Sequence, residues 1–182
     1  QPPAYWAEYC INAGAVKGVT IRNGTLINAG TNLLSMSNSI GTRVENVTAS
    51  NALESAMSAG PQSVFRECHV RTAGSQGITG GSGSVITGCT VTGAGDVGIT
   101  ATGATISECS VRNAGSYAFS VGINSVVTNC TASESGDGFG AASTAKFINC
   151  GSSNNTGDGF VAGFQSVIEG CTASSNTDDG FD

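Results

Sequence analysis

The chain is 182 residues long, holds 27 glycines with 11% charged residues, and carries a formal net charge of −6. That length is one domain by the usual prior, and the acidic balance leaves no basic patch to neutralise phosphate, which argues against a nucleic-acid partner. No run approaches the ~18 apolar residues of a membrane span, so membrane insertion is not expected.

Taken in order, Gln1 to Val16 differs from all that follows. It holds Trp6, the single tryptophan, with Tyr5 and Tyr9 beside it. Pro2-Pro3 followed by Tyr5, Trp6, Tyr9 and Cys10 has helical spacing after a proline start. The expectation is an amphipathic turn or helix, so that residues 1–16 cap an open strand edge that would otherwise invite aggregation. The aromatic cluster as a sugar platform is the competing use. No signal-peptide pattern is present, so the chain is expected to be a mature extracellular or cell-surface protein, or a piece of one.

Residues 17–182 are the expected main domain. Its first part, 19–61, holds two weakly marked units. Val44-Glu45-Asn46-Val47-Thr48-Ala49-Ser50 matches Val127-Thr128-Asn129-Cys130-Thr131-Ala132-Ser133, and Ile21-Arg22-Asn23-Gly24-Thr25-Leu26 repeats the motif one step earlier. From Val64 to Phe181 the period is plain: Cys68, Cys89, Cys109, Cys130, Cys150 and Cys171 recur every 20 or 21 residues. Each has an apolar residue three before it, from Phe65 to Ile168, and Asn, Gly or Glu one before it. A small-plus-apolar pair follows nine or ten residues later, from Gly77-Ile78 to Gly180-Phe181.

A fixed period in this range marks a repeat architecture, and each unit holds three runs too short for helices. Side chains alternate along a strand, so Cys and the residue two later share the inward face. The apolar residue three before Cys breaks that alternation, which places a bend at the Asn or Gly between them, where left-handed backbone costs little. The fold expected is all-β, a parallel β-solenoid of about eight coils, a rod of roughly 38 Å at the usual strand spacing. Asn23, Asn46, Asn129 and Asn154 fit the glycosylation sequon, but the bend accounts for three of them.

Ladder cysteines in register point alongside one another, so stacked buried thiols are expected over disulfides. Zinc is not expected, because no two lie closer than 20 residues. The outward column after the Cys slot reads Thr25, Thr48, His69, Thr90, Ser110, Thr131, Gly151, Thr172. An ice-binding solenoid would present such an array, and so would any solvated strand. His69, Arg71 and Arg112 interrupt it, and with Glu67 and Glu108 they form the one mixed-charge cluster of the body. These three basic residues are the substrate-binding candidates.

A second signal is acidic. Asp96, Asp137, Asp158 and the Asp178-Asp179 pair each stand just before a small-plus-apolar pair. One Asp per coil reads as a turn residue that accepts backbone N–H bonds. Asp178, Asp179 and Asp182 beside Asp158 read as a cation site, and hard oxygen donors without His or Cys favour Ca²⁺.

The repeat resembles the right-handed parallel β-helix repeat family, which includes pectate lyases, over residues 19–182. Gly157-Asp158-Gly159-Phe160, then Cys171, then Asn176-Thr177-Asp178-Asp179-Gly180-Phe181-Asp182 is similar to the calcium segment of family-9 pectate lyases. The resemblance implies calcium held by Asp158, Asp178, Asp179 and Asp182. It also implies calcium-dependent β-elimination on a uronate polysaccharide, with the family's catalytic lysine downstream of the motif; within this chain Arg112 and Lys146 are the candidates for that role. Three function classes follow: a lyase or part of one acting on acidic polysaccharide; a non-catalytic β-helix that binds surface glycan; and a structural rod on whose final coil further coils or another subunit dock. Ice binding is a minor fourth.

Overall fold

The computed structural model describes residues 7–182. It is all-β, with no helix among the described residues and every strand pair parallel. The chain winds as a solenoid with three faces, and each face is eight strands deep. The first face runs from Thr20–Ala29 and Arg43–Ala52 through Val64–Arg66 to Val167–Glu169, and the second from the same two long strands through His69–Ala73 to Thr172–Ser174. Those two strands run unbroken across the corner between the faces. The third face stacks Ile11–Asn12, Leu34–Met36, Met57–Ala59 and their successors up to Phe160–Phe164.

The corners explain the shape. In every coil three residues have left-handed backbone, five positions apart, as at Gly103, Glu108 and Asn113 or at Thr144, Asn149 and Asn154. The middle one is the residue before the Cys slot, so the bend expected there from the sequence is present in all eight coils, from Asn23 to Gly170. All four asparagines in sequons occupy such corners. The other two corners are filled by a wider set that includes Gln62, Thr72, Thr144 and Ser175. L-residues other than Gly, Asn and Asp enter this region at a cost of roughly 1–2 kcal/mol.

Between corners the chain is extended, and the in-register pairing turns each position into a column. The Cys slot is buried from Val47 through Cys150, with Cys171 half-buried at the end; all seven cysteines are free thiols, and Cys10 is exposed. Each ladder sulfur donates to a nearby carbonyl, as Cys109 does to Ser107 at 3.2 Å. The Cys89 N–H donates to Cys109 Sγ and the Cys109 N–H to Cys130 Sγ, each at 3.4 Å; the neighbouring Cys130 and Cys89 sulfurs pull Cys109 down, whereas those two are pushed up by the same contacts and then by burial. Burial opposes charge on every ladder thiol, and the contacts between neighbouring sulfurs make the shifts alternate, with Cys68, Cys109 and Cys150 lowered and Cys89, Cys130 and Cys171 raised. On the third face Phe119, Phe139, Phe160 and Phe181 stack at centroid distances of 4.7, 4.8 and 5.1 Å. Such pairs add about 0.5–1.5 kcal/mol each beyond their burial.

The N-terminal stretch is built differently from the turn or helix its aromatic spacing suggests. Ala7 bridges to Ala29, and Ile11–Asn12 pairs with Leu34–Met36, so residues 7–16 extend the third face by one partial coil. The reason is backbone accounting. In this path Ile11 and Ala13 donate to Leu33 and Ser35 at 3.0 and 3.1 Å, and Gly30 donates to Ala7 at 2.7 Å. A helix would leave the edge of the first coil without those partners. Pro2, Pro3, Tyr5 and Trp6 lie outside the described residues.

Two outcomes check this architecture. Under native conditions a thiol reagent should label Cys10 at once and Cys171 slowly, and the five buried ladder thiols only after denaturation; prompt labelling of those five would rule out the stacked interior. Cys109→Ser should cost about 1–3 kcal/mol for a buried hydroxyl, whereas Glu108→Asn should raise stability by about 0.5–1 kcal/mol, because Asn tolerates the left-handed corner better than Glu. Chemical denaturation of both variants reads the two signs.

Candidate functional site

The three faces keep the sequence-derived candidates apart. His69 and Arg71 lie on the exposed side of the second face, and Arg112 shares Arg71's column two coils on. His69 Nδ1 lies 2.6 Å from Thr90 Oγ1. Arg112 is not tied to Glu108 but to Glu134 of the next coil, through Nε and Nη2, each at 2.8 Å. Lys146 is exposed on the first face, in register with Val126 and Val167. Glu67 and Glu108 occupy exposed corners with φ of 51° and 56°. Neither groove described below is lined by any of these residues.

The acidic column runs along the entry to the third face. Asp137 Oδ1 accepts the N–H of Asp158 at 2.8 Å, and Asp158 Oδ1 accepts the N–H of Asp179 at 2.8 Å. Each carboxylate therefore caps a backbone donor of the next coil, the turn role weighed for a single Asp. Gly157 makes room for this, since a Cβ there would collide with Asp137 Oδ1. Asp182 pairs through its backbone with Phe160 and Ala162, and Asp178 donates its N–H to Gly157 at 3.2 Å. Among the described residues no three His, Cys, Asp or Glu side chains come together as a metal site. Of the four aspartates assigned to calcium by resemblance, Asp178, Asp179 and Asp182 lie in one coil and Asp158 in the coil before it, where one oxygen of Asp158 is engaged by the Asp179 N–H.

The site the sequence reading passed over is centred on Tyr117. Just beside the acidic column, the outer side of the third face carries a shallow groove of about 400 Å³ lined by Thr100, Thr102, Tyr117, Ser120, Gly122, Gly140, Ala142 and Val161, among others. Alternation explains the lining: Ile99, Phe119, Phe139 and Phe160 point inward, so Thr100, Ser120, Gly140 and Val161, each one residue on, form the outward column. Tyr117 pairs in register with Asp137, and its ring lies over Gly140, where a Cβ would meet ring carbon Cε1 at 2.6 Å. The missing side chain is what lets the ring lie down on the sheet. Gly122 keeps the floor low beside it, under Thr102.

Burial first, and then the Asp137 carboxylate beside it with Asp158 further off, pushes the Tyr117 phenol above its ordinary value of 10.0. The groove thus holds one aromatic ring, several hydroxyls and flanking carboxylates, with no cation among its lining residues. A second groove of about 410 Å³ along the corner at Thr72, Gly93 and Asn113 has neither ring nor charge. No family model and no curated protein matches this chain.

The raised phenol has a measurable consequence. Its native form keeps the proton after the unfolded chain has lost it, so the contribution of neutral Tyr117 is intact below pH 10 and is lost as pH climbs through the native value. A phenolate difference titration, wild type minus Tyr117→Phe, should show a midpoint above 10; a midpoint at or below it would contradict the buried, carboxylate-flanked setting.

Proposed function

We propose that this chain is a non-catalytic, glycan-binding β-solenoid that acts outside the cell or at its surface, holding an extended neutral glycan along the third face. The observation that carries the reading is the Tyr117 ring seated over Gly140 beside Thr100, Thr102 and Ser120. A sugar ring offers an apolar C–H face and a rim of hydroxyls. An aromatic side chain covers the first, and a few placed hydroxyls and carboxylates orient the second. The columns repeat about every 4.8 Å, so an extended chain can follow the face from coil to coil past the Tyr117 ring and the hydroxyls beside it.

Neutral is favoured over acidic glycan by charge. Asp137 and Asp158 border Tyr117 in successive coils, and a uronate there would be repelled unless a cation stood between. Nor does the arrangement support lyase chemistry. Arg112 is held by Glu134 and Lys146 is on another face, so neither stands in the groove as a base.

Affinity electrophoresis against a panel of soluble neutral glycans and polygalacturonate, in calcium and in EDTA, tests this. The expected result is retardation by at least one neutral glycan, independent of calcium. Tyr117→Ala and Gly140→Val should each weaken it about tenfold or more, a loss of roughly 1.4 kcal/mol. Retardation that survives both substitutions, or none at all, would overturn the groove as the site. Calcium-dependent retardation by polygalacturonate, abolished by Asp179→Asn, would favour the acidic-polysaccharide reading instead.

A further inference from the structure

Two arginines share one outward column of the second face and meet different neighbours. Arg71, Thr92, Arg112 and Ser133 stand in register in successive coils. The residue after each of them is the corner that ends the second face: Thr72, Gly93, Asn113 and Glu134, with φ of 60°, 77°, 60° and 52°. Arg112 reaches the corner of the next coil, 22 residues on, where Glu134 accepts from Nε and Nη2 at 2.8 Å. The same step taken from Arg71 arrives at Gly93. The ion pairs among the described residues are Arg43–Glu45 and Arg112–Glu134, and Arg71, which is exposed, belongs to neither.

Gly93 leaves a notch in a column of side chains. Elsewhere in that column neighbours bond one another, as Asn51 Nδ2 does in donating to Asn28 Oδ1 at 3.1 Å. Gly93 offers Asn113 no such acceptor. The place is open: the nearest neighbours of a Cβ on Gly93 would be Thr72 backbone atoms at 3.8 Å and Asn113 Nδ2 at 4.0 Å. The groove of about 410 Å³ at Thr72, Gly93 and Asn113 is this gap. Its lining is small and uncharged, with a hydroxyl and an amide, and Arg71 stands immediately before Thr72 in the chain. Towards Arg112 the corner supplies a carboxylate on a short stem; towards Arg71 it supplies none.

We propose that the Gly93 notch docks a glutamate-bearing loop of a partner protein, whose carboxylate takes towards Arg71 the place that Glu134 holds towards Arg112. Arginine's planar fork suits a carboxylate, and the Asn113 amide adds a further donor. A single carboxylate is favoured over a multiply charged anion because the surroundings are acidic. Glu67 stands at the corner before Arg71's strand, Asp96 follows Gly95, and the chain carries a net charge of −6. One carboxylate is attracted locally, whereas a polyanion is repelled at longer range. The site involves neither Tyr117 nor its groove, and it adds a protein contact to the glycan surface proposed there.

The probe is the capped peptide acetyl-Gly-Glu-Gly-amide, titrated into the full chain and followed in amide and arginine Nε–H NMR spectra. Saturable shifts are expected at the Gly93 N–H, the Asn113 amide and the Arg71 Nε–H, and none at Arg112, which Glu134 occupies. A peptide with Gln in place of Glu, or the variant Arg71→Gln, should bind about tenfold more weakly or worse. Gly93→Glu copies the Glu134 corner in a column that already holds a Glu at positive φ. It should therefore fold, move the Arg71 Nε–H towards the position of Arg112's, and abolish peptide binding. Glu134→Gly does the reverse and should open a second site at Arg112. Equal shifts with the Gln peptide, shifts that survive Arg71→Gln, or no saturation at the solubility limit of the peptide would overturn the proposal. So would tighter binding of glucuronate than of the peptide, which would name a sugar acid as the occupant. All of these signals are read outside the Tyr117 groove, so failure of the glycan reading and failure of this one are told apart.

Discussion

Each coil must turn three times to close on itself, and each turn rests on one residue held at positive φ. Because these residues recur five positions apart, the two stretches between them are four residues long in every coil. Insertions and deletions are confined to the third stretch, which returns the chain through the third face. The pairing offset falls from 23 residues in the first step to 20 or 21 thereafter, while the corner spacing stays constant. Register follows from the corners, and columns follow from register. The thiol ladder, the phenylalanine stack and the outward Thr/Ser rows are all consequences of that constraint rather than separate inventions.

How far the sequence could be read depends on how tightly each column restricts its residues. The Cys slot admits only a small, apolar, buried side chain, and six identical residues made it visible. The corner before it is mostly Asn and Gly, so the bend could be inferred. The flanking corners hold Gln62, Thr72, Thr144, Gln165 and Ser175 as well; pairing across the sheets overrides their local preference, and composition alone does not mark them. The aspartates were ambiguous for a different reason. A carboxylate that caps a backbone N–H and one that binds a cation have the same sequence signature, and the 2.8 Å bonds from the N–H groups of Asp158 and Asp179 give the first role to Asp137 and Asp158. Tyr117 escaped notice because it stands one position before a small-plus-apolar pair, where other coils have Gln76, Val97 or Asp158. Its partner is Gly140, in the next coil, and a chance for the pair to be seen lay in reading the outward column of the third face as the second face's columns were read.

The interior changes character along the axis. Alanine, valine and cysteine fill the inward columns of the second face through the middle coils, and Ser152, Ser135, Asn155 and Asn176 enter towards the far end. A buried amide specifies its neighbour's register and chemistry in a way that an alanine cannot, since a slip of one coil or one residue leaves it unpaired. The polar coils therefore fix their mutual register more tightly than the apolar middle does.

The same logic limits what the flanks can do. Among the described residues no long loop rises from this rod to wall a cleft, so recognition by these coils has to be built from columns one side chain wide. Relief on such a surface comes from contrast within a column: a large residue in one coil beside a missing side chain in the next. Tyr117 over Gly140 supplies that contrast, and the acidic residues next to it bias what can lie there. The carboxylates keep their structural bonds through one oxygen and leave the other side of each group to solvent or ligand. A surface of this kind reads repeating, extended molecules better than compact ones, because the coil repeat is the only ruler it has.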